Sequence, residues 1–461
     1  MADCSNRFAL IGAGPAGLAM ARALLKHGIA FDQFEADDDV GGNWYHGVYE
    51  TAHIISSRKT TEFTDYPMPA TYPDFPSAAQ MLAYMRSYAD HFQLRPSIRF
   101  RTAVTMVTPR ADALWDVALS TGERLAYRGV LVCNGHHWDR RMPQVPGTFA
   151  GELIHSKEYR RVDQLRGKRV LVIGAGNSAC DIASEAARVA QSCDIAIRRG
   201  YWFLPKTIMG VPLPEVSPLW LPVWAQRLFL RAMLRVIVGK YESYGLERPK
   251  MRIFETHPTI NSELLHYLKH GRITARRGVE RFDGHTVRFA DGGSGEYDLI
   301  IAATGYNLAF PFLPAGLVPI RDGCIPEVYG GSMLPTHKHL YVVGWGQARY
   351  GIGPLITLGA DVLCRVIALQ DECDLPLGLV LKEGGEALPE SHLINPGDAL
   401  RRMRRAKWLL PLLARRERRM RRTMHFTPSA MPVAPALGAP GVTATDADQP
   451  LAAAGATPRL Y

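Results

Sequence analysis

Near its start the chain alternates short apolar runs with an amphipathic stretch. Residues 8–11 (Phe-Ala-Leu-Ile) predict a buried strand, a glycine-rich turn follows, and residues 18–25 have the periodicity of a helix. A second strand is predicted over 29–35. The same unit recurs 162 residues later, with strands predicted over 169–173 and 193–198 and a helix between them. Two such units with parallel crossovers predict an α/β fold with two Rossmann-type dinucleotide-binding domains.

The first glycine-rich turn has the spacing of a dinucleotide-binding fingerprint, and it consists of Gly12, Ala13, Gly14, Pro15, Ala16 and Gly17. Its glycines permit a tight turn, close approach of the backbone to a pyrophosphate, and close packing of the helix on the strand. The second strand ends at Glu35, where a carboxylate can accept hydrogen bonds from both ribose hydroxyls. Three aspartates at 37–39 follow and would repel a phosphate, so we expect this site to bind FAD.

The second turn repeats this spacing, and its matching positions are Gly174, Gly176, Asn177 and Ser178. Arg198 lies 24 residues after Gly174, with Arg199 beside it, where the first unit has an acid. A guanidinium can bind a 2′-phosphate through two parallel hydrogen bonds, whereas an acid would repel it. We therefore expect this second site to bind NADPH. The alternative is that both arginines form a solvated end of the strand.

Further motifs resemble the flavin-containing monooxygenase family, class B flavoproteins related to Baeyer–Villiger monooxygenases. Residues 149–159 match the family's linker pattern F-x-G-x-x-x-H-x-x-x-Y/F, and residues 257–261 resemble a segment that follows an insertion. Residues 41–44 resemble its G-G-x-W loop near the flavin, and residues 303–306 its A-T-G-Y hinge. The resemblance covers residue 8 to about residue 367 and adds further expected cofactor-binding residues, namely Gly42, Asn43, Trp44, Thr304 and Gly305.

The resemblance implies that the NADPH-binding domain is inserted in the FAD-binding domain. We therefore predict the first part of the FAD domain over 1–155, the NADPH domain over 156–305 and the closing part of the FAD domain over 306–400. Within the NADPH domain, a proline-rich stretch and an amphipathic helix with arginines four residues apart indicate an insertion at about 211–250. The insertion could line a substrate tunnel, touch a membrane or simply cover a core.

The activity follows from the same resemblance. In family members NADPH delivers a hydride to FAD, and the reduced flavin traps O₂ as a hydroperoxide whose distal oxygen passes to a nitrogen or sulfur atom. The expected protein is therefore an NADPH- and O₂-dependent FAD monooxygenase that N- or S-oxygenates a small substrate, as N,N-dimethylaniline monooxygenases do. The cofactor supplies the chemistry, so no nucleophilic triad or metal cluster is needed. His155 in the linker is expected to couple the two domains.

The chain departs from the family pattern at Ile55. Family members that oxidise amines and sulfur usually have an asparagine at this position. It precedes a family stretch F-S-D-F-P, which corresponds to residues 63–67 in this chain. Isoleucine cannot hydrogen-bond a peroxide or a nicotinamide. Either His53, Ser56 or Ser57 replaces the asparagine, with Ser56 also expected to contact the cofactor, or oxygen transfer is inefficient. The second case keeps open a Baeyer–Villiger-type enzyme, an NADPH oxidase, and a flavin-bound redox-sensing protein with little turnover.

The formal net charge of +10 is concentrated in one segment. Residues 401–422 contain eleven Lys or Arg and a single acid, so the remainder of the chain is close to neutral. An apolar run at 408–413 lies among these arginines, which favours either peripheral contact with an anionic membrane surface or a solvated helix. Pro411 is predicted to interrupt any continuous helix here. Nucleic-acid binding is not expected, because no nucleic-acid module accompanies the charge.

The seven cysteines include no C-x-x-C pair and no metal-like spacing, which indicates a reduced, cytoplasmic chain without a metal site. His136 and His137 are accordingly expected to serve a loop rather than a metal. No signal peptide is recognisable, and no apolar run approaches the ~18 residues of a membrane-spanning helix. Residues 401–461 are predicted to form the basic segment and then a disordered tail, rich in Ala, Pro, Gly and Thr from about Pro428.

Overall fold

The computed structural model describes residues 2–217 and 221–423. Up to residue 140 the elements are β1 Ala2–Ile11, α1 Pro15–Lys26, β2 Phe31–Phe34, α2 Arg58–Thr61, α3 Ala78–His91, β3 Ile98–Arg99, β4 Val104–Pro109, β5 Trp115–Leu119, β6 Arg124–Val132 and β7 Asp139–Arg140. From there to residue 305 they are β8 Gly147–Phe149, β9 Glu152–His155, β10 Arg169–Ile173, α4 Asn177–Val189, β11 Ser192–Ile197, β12 Phe203–Leu204, β13 Thr207–Ile208, β14 Val211–Pro212, α5 Leu213–Val216, α6 Val223–Ile237, β15 Thr259–Ile260, α7 Leu264–Lys269, β16 Thr274–Arg277, β17 Val279–Gly284, β18 Thr286–Phe289, β19 Ser294–Glu296 and β20 Leu299–Ala302. The rest are β21 Tyr306–Asn307, β22 Ile320–Arg321, β23 Ile325–Pro326, β24 Leu340–Val342, β25 Gln347–Ala348, α8 Gly353–Asp371, α9 Leu377–Lys382, β26 Leu393–Ile394 and α10 Pro396–Thr423.

The first unit is built on a seven-stranded sheet, in the order β3-β2-β1-β6-β5-β4 with β24 paired to β6. β1 runs parallel to β2 and β6, so the glycine turn after β1 and the chain after β2 meet at one edge of the sheet. Phe8 and Leu10 are fully buried, since a parallel sheet is covered on both faces. Helices α1, α3 and α8 supply apolar side chains to the adjoining core. The predicted β1–α1–β2 unit is confirmed.

The second unit repeats this arrangement. Its five strands, in the order β16-β11-β10-β20-β9, are all parallel. Helix α4 begins at Asn177, directly after the second glycine turn, and buries the small side chains of Ala179, Ala183 and Ala186 in the core beside the sheet. The second strand–helix–strand prediction is therefore also confirmed. A four-stranded sheet, β19-β18-β17-β8, completes the unit.

The chain crosses from the first unit to the second and back, and the two crossings contact each other. Strand β7 on the outward path pairs antiparallel with β21 on the return path, with Arg140 opposite Tyr306 and Asp139 opposite Asn307. Strand β9 already belongs to the five-stranded sheet of the second unit. The second unit is thus inserted between two parts of the first, while the division after residue 155 stays a prediction.

The predicted helix of the insertion is present as α6. Leu230 and Leu234 are buried in an apolar cluster that also includes Phe254 and Tyr350. This favours the interpretation that the insertion covers a core. The same helix leaves Trp224 69% exposed and Val236 85% exposed. α6 therefore has one apolar face inside the protein and further apolar side chains on the surface.

The basic segment forms one continuous helix, α10, which passes through Pro411. The predicted interruption at this proline is wrong. An internal proline costs about 3 kcal/mol or more, and tertiary packing offsets that cost here. Leu410 and Leu413 pack against the core of the first unit, called the first core below. The buried carboxylate of Glu417 accepts hydrogen bonds from the backbone N–H groups of Asp374 and Leu375, both at 3.1 Å. The predicted disordered tail lies outside the described residues.

Among the described residues, α8 alone is long and apolar enough to cross a membrane by length and composition. Its side chains contribute to the first core, with Leu363, Cys364 and Ile367 buried there. It packs against α1 and α10. We interpret it as a core helix. All seven cysteines lie within the described residues and are free.

Candidate functional site

The first glycine turn is held in a conformation that requires glycine. Gly12 has φ +97°, and a Cβ atom there would lie 2.6 Å from the carbonyl oxygen of Cys133, at the end of β6. At Gly17 a Cβ atom would lie 2.0 Å from the carbonyl oxygen of Gly12, so the helix can pack on the turn only without a side chain. Gly14 is the N-cap of α1 and makes no side-chain cap, while Pro15 begins the helix. The first N–H groups of α1 therefore have no competing side-chain acceptor at the cap.

Glu35 closes this turn from the end of β2. Its carboxylate accepts hydrogen bonds from the N–H groups of Ala13 at 2.5 Å and of Asp37 at 3.1 Å. Burial raises the pKa of Glu35. The side chain thus lies beside the turn, where the ribose hydroxyls are expected.

Two of the three aspartates that follow Glu35 are paired with other side chains. Asp38 accepts a hydrogen bond from Tyr45 at 2.6 Å and pairs with an arginine at 3.0 Å. Asp39 pairs with Arg86 at 2.6 Å and with Arg95 at 2.9 Å. Because of these pairings, Asp38 and Asp39 repel a phosphate less than the run of three acids in the sequence suggests. The charge selectivity of the first site therefore depends mainly on Glu35 together with Asp37, whose charge acts on Glu35.

The loop at 41–44 lies directly on the first turn. The N–H of Gly41 donates to the carbonyl of Ala13 at 3.0 Å, and a Cβ atom on Gly42 would lie 2.9 Å from the Cα atom of Gly14. Asn43 begins the single helical turn that follows, and the ring of Trp44 packs against both the first and the second core. The structure therefore brings this motif and the first fingerprint into one cradle.

The second turn repeats the geometry of the first. Gly174 has φ +140°, and its Cβ atom would lie 2.3 Å from the carbonyl oxygen of Ala303, at the end of β20. Gly176 is the N-cap of α4, again without a side-chain cap, and a Cβ atom there would meet no protein atom within 4 Å. The side of the second turn at Gly176 is open, as an approaching pyrophosphate requires.

Asn177 holds the 257–261 motif against this turn. Its Nδ2 donates to the carbonyl of Pro258 at 3.3 Å, and its Oδ1 accepts from the N–H of Ile260 at 2.8 Å. Thr259 donates from its hydroxyl to the carbonyl of Ala175 at 2.8 Å. The neighbouring Ser178 contacts the hydroxyl of Tyr49 instead. The side chain of Asn177, predicted to bind cofactor, therefore holds the 257–261 segment in place instead.

The arginines at the end of β11 lie on the surface. Arg198 borders a cavity of about 530 Å³ together with Arg277, at the end of the neighbouring strand β16. Arg277 pairs with Glu247 at 2.9 Å. The guanidinium of Arg199 lies over the ring of Tyr201, 5.3 Å from its centroid. The sequence analysis did not identify Arg277. Its only signal in the sequence is that two arginines, 276 and 277, stand together at the end of β16.

His155 and the hinge at 304–305 are joined by hydrogen bonds. His155 is fully buried. Its Nδ1 accepts from the N–H of Lys157 at 3.1 Å, which leaves the proton on Nε2 to donate to the carbonyl of Gly305 at 3.0 Å. Burial lowers the pKa of His155. The hydroxyl of Thr304 donates to the carbonyl of Arg141, and Gly305 has φ +84°, a backbone conformation that favours glycine.

The residues expected near the reaction are close together but already bonded. Ile55 packs against an apolar cluster that includes Phe254 and Tyr350. The hydroxyl of Ser56 lies 2.6 Å from that of Thr61, and Ser57 caps α2 by accepting from the N–H of Thr60 at 3.3 Å. His53 contacts Lys206 of the second unit, with 2.6 Å between Nε2 and Nζ. Each of the three proposed substitutes for asparagine therefore has a partner within the protein.

A segment that sequence reasoning missed, 344–353, runs along the first cradle. A Cβ atom on Gly344 would lie 2.7 Å from the Cβ atom of Ala16. His136 contacts the carbonyl of Gly344 at 3.0 Å, and His137 lies 2.5 Å from the side-chain nitrogen of Gln347. Within the described ranges no group of three or more His, Cys, Asp or Glu could hold a metal ion. Both histidines therefore hold this segment in place.

The two glycine turns and the histidine on the linker between them are features of a protein family that comparison with known sequences also identifies. The sequence model of the family described as flavin-binding monooxygenase-like matches residues 5–376. The chain belongs to this family. Flavin-containing monooxygenase 5 of Homo sapiens is 34% identical over 346 residues, which are 69% of this chain and 65% of that protein. Dimethylaniline monooxygenase (N-oxide-forming) 2 of Rattus norvegicus is 31% identical over 403 residues, 80% of this chain and 74% of that protein.

Solved structures of the flavin-dependent monooxygenases show the same fold. An open form of cyclohexanone monooxygenase superposes with a TM-score of 0.69 at 18% identity, over 89% of this chain and 99% of that one. A flavin-containing monooxygenase from Stenotrophomonas maltophilia gives a TM-score of 0.61 at 22% identity, over 80% and 99%. The expected α/β fold with two Rossmann-type domains is thereby confirmed.

Proposed function

We propose that this flavin-binding monooxygenase-like protein binds FAD in the first cradle and NADPH in the second, and transfers one oxygen atom from O₂ to a nitrogen or sulfur atom of a small substrate. The observation that carries the proposal is a contrast of charge between two equivalent positions. After β2 the chain places Glu35 beside the first turn, and after β11 it places Arg198 beside a cavity shared with Arg277. A carboxylate suits ribose hydroxyls, and guanidinium groups suit a 2′-phosphate.

Both cradles fit a pyrophosphate. The N-cap residues of α1 and α4 are Gly14 and Gly176, neither of which supplies a side-chain cap, so the helix N-termini keep donors for an anion. When bound, the two cofactors supply hydride transfer and oxygen activation. The chain's part is to orient them and to exclude water. Phe254 and Tyr350, with Ile55 packed beside them, provide an apolar wall for that purpose.

A second candidate function, an NADPH oxidase, is favoured by the surroundings of Ile55. This residue lies against apolar side chains, and the hydroxyl of Ser56 is bonded to Thr61. A preorganised donor at such a site is commonly worth several kcal/mol in transition-state stabilisation, on the order of 3. Without one, reduced flavin and O₂ are expected to release peroxide more readily.

The decisive experiment is reduction of the yellow, FAD-loaded protein with NADPH under anaerobic conditions, followed by rapid mixing with oxygen and an amine or sulfide. Delayed reoxidation with a stoichiometric oxygenated product supports the proposal. Immediate reoxidation with stoichiometric hydrogen peroxide supports the oxidase. If NADPH does not reduce the flavin, both enzymes are excluded and a redox-sensing binding protein remains. A colourless protein that takes up no FAD overturns the assignment of the first cradle.

The proposal extends to location, with a cytoplasmic protein that touches an anionic membrane surface through α10. Trp408 is 84% exposed, and Leu409 and Leu412 are each more than half exposed, on a helix rich in arginine. Sedimentation with phosphatidylcholine vesicles, with and without phosphatidylglycerol, tests this contact. Trp408→Ala should weaken binding to the anionic vesicles, whereas Trp224→Ala on α6 is the matched control. Equal sedimentation of Trp408→Ala and the parent would support a solvated helix.

A further inference from the structure

Arg349 is a buried cation without an anion. It directly follows β25 and is 2% exposed. Its Nε, Nη1 and Nη2 atoms are all buried, and none has a hydrogen-bond partner among the described residues. A guanidinium stays protonated and has five N–H donors in one plane. Leaving such a group dry and unpaired is strongly unfavourable, so its position demands an explanation.

The charged groups around Arg349 do not supply the missing partner. Asp398, in the first turn of α10, is bonded to Asn395 and Arg401 instead. The charge of Arg227 on α6 also acts on Arg349, and its Nε donates to the carbonyl of Ile253 at 2.8 Å. Burial lowers the pKa of Arg349, Tyr350 and Asp398 oppose that shift through their charges, and Arg227 adds to it. The surroundings therefore hold the charge in place without neutralising it.

The plane of the guanidinium is fixed by an aromatic ring. The Cζ atom of Arg349 lies 4.2 Å from the centroid of Phe254. The next residue, Tyr350, meets the same ring edge-on, with 6.2 Å between centroids. Phe254 also lines a small cavity. The residues that line it come from two segments of the chain, 201–204 and 252–258. Stacking leaves the nitrogen edge of the guanidinium as the part that can bind a ligand.

Arg349 belongs to the part of the chain that faces the proposed reaction. A Cβ atom on Gly351 would overlap the carbonyl of Thr60 at 1.9 Å, so the segment is packed against the chain that follows Ile55. Ile55 and Tyr350 contribute to the same apolar cluster. The guanidinium therefore lies between the first cradle and the insertion, where a substrate reaching the flavin would be enclosed.

We propose that Arg349 binds a carboxylate of the molecule that is oxidised, so that the preferred substrates are small amines or sulfides that also carry a carboxylate. This inference rests on the proposed monooxygenase function. A carboxylate matches the planar fork of a guanidinium with two parallel hydrogen bonds. The apolar walls around the site strengthen that pairing by excluding water. The cofactors carry anionic oxygens too, and they are the other source of the same chemistry.

The test uses benzoate as an anionic probe and benzamide as its neutral counterpart. The FAD-loaded protein is titrated with each by calorimetry, with perturbation of the flavin absorbance as a second readout. Benzoate should bind at least about tenfold more tightly than benzamide. Arg349→Met should abolish this preference and Arg349→Lys should keep part of it. Arg281→Met, which removes an exposed arginine of β17, is the control and should change nothing.

Thermal unfolding gives an independent readout. Because Met fills a similar volume without a charge, Arg349→Met should melt at a higher temperature than the parent in the absence of ligand. Benzoate should raise the melting temperature of the parent and leave that of the variant unchanged. If Arg349→Met melts lower than the parent and benzoate does not raise the melting temperature of the parent either, the arginine has a structural role and the proposal is overturned.

The affinities of FAD and NADP⁺ separate the two sources of anionic oxygen. The proposal requires both affinities to change less than about threefold in Arg349→Met. If either falls as far as benzoate binding does, the guanidinium serves that cofactor and the proposal is wrong. Equal binding of benzoate and benzamide to the parent also contradicts it. Failure of the protein to take up FAD would refute the proposed function, while benzoate titration of the flavin-free protein would still test Arg349.

Discussion

The Nε2 atom of His155 donates a hydrogen bond of 3.0 Å to the carbonyl oxygen of Gly305. One residue lies on the linker that enters the second unit, and the other lies on the hinge that leaves it. The bond therefore ties the two connections together at a buried point. Because Nδ1 is occupied by the N–H of Lys157, the ring is held neutral in a single tautomer and is unsuited to proton transfer.

Replacing His155 should impair communication between the domains. We expect His155→Ala to slow flavin reduction by NADPH while FAD affinity stays within about twofold, because the first cradle is untouched. His155→Gln, which can still donate to Gly305, should recover part of the rate. Stopped-flow reduction and FAD titration provide the two measurements. Loss of one limb of the pH profile in His155→Gln, with a plateau rate as low as that of His155→Ala, would instead indicate acid–base chemistry.

Arg198 is expected to select the phosphorylated nicotinamide cofactor. Charge-assisted pairing to phosphate is worth about 1.5–3 kcal/mol, so Arg198→Ala should raise the Kd for NADPH by roughly 10- to 100-fold. The Kd for NADH should change little. Arg277→Ala is expected to act in the same direction but less, since Arg277 is partly neutralised by Glu247. Equal losses for NADPH and NADH would contradict the assignment of a 2′-phosphate to this cavity.

Substitution of the two glycines of the second turn should affect different properties, protein stability at Gly174 and NADPH affinity at Gly176. Gly174→Ala places a Cβ atom against the carbonyl of Ala303 at a positive φ, and we expect a loss of about 1–3 kcal/mol in the free energy of unfolding. Gly176→Ala meets no protein atom within 4 Å and should unfold as the parent does, yet it should weaken NADPH binding. Urea denaturation and cofactor titration distinguish the two. A parent-like NADPH affinity in Gly176→Ala would mean that the pyrophosphate lies elsewhere.

Ile55→Asn should supply a hydrogen-bond donor at the position that the family resemblance predicts to lie near the flavin. We expect reoxidation of the NADPH-reduced protein by O₂ to slow by about tenfold or more, and the yield of free peroxide to fall, because a hydrogen-bond donor stabilises the bound oxygen. Ile55→Val keeps the site apolar and is the control. The measurements are flavin absorbance after rapid mixing and a peroxide assay. Identical traces for the Asn and Val variants would show that residue 55 does not face the reacting atoms.

Mild acid should destabilise the protein through its buried histidines. Burial lowers the pKa of His136 and of His257 to about 4 in each case, whereas an unfolded histidine titrates near 6.5. The unfolded chain therefore binds more protons between these values, so the free energy of unfolding falls as pH drops from about 6.5 towards 4. The limit is on the order of 3 kcal/mol per histidine.

Denaturation at several pH values tests this expectation with matched variants. His136→Gln should flatten the dependence below pH ~6.5, since it removes one of the groups responsible. His270→Gln, at an exposed position, should leave the dependence as it is in the parent. A stability that is constant over this range in the parent would show that the buried rings are already protonated or are solvated.

The sequence predicted those features that depend on short-range patterns. Strand β1, helix α1 and the glycine turn between them follow from neighbouring residues alone, and so do β10, α4 and β11. Asn177 illustrates the limit, because its side chain bonds to Pro258 and Ile260, which only the fold brings near. Arg198 and Arg277 line the same cavity for the same reason, because the fold pairs β11 with β16.

Other errors came from local rules that tertiary packing overrode. Pro411 breaks an isolated helix, but Leu410 and Leu413 pack on the first core and hold α10 together. The acidity after Glu35 was overstated, since sequence does not show that Asp39 pairs with Arg86 and Arg95. Arg349 gave no signal at all, because a single arginine in a glycine-rich segment is unremarkable until its burial is known.

The pairing of β7 with β21 limits how the nucleotide-binding units can move. Separate flexible tethers would let the second unit tumble, but two adjacent strands joined by backbone hydrogen bonds resist shear and stretching along their length. Trp44, which packs against both cores, and the contact of His53 with Lys206 link the two units further. We therefore expect any relative motion to be a small swing about an axis close to this ladder. A nicotinamide carried by the second unit would then sweep along one arc and return to the same place over the flavin in each cycle.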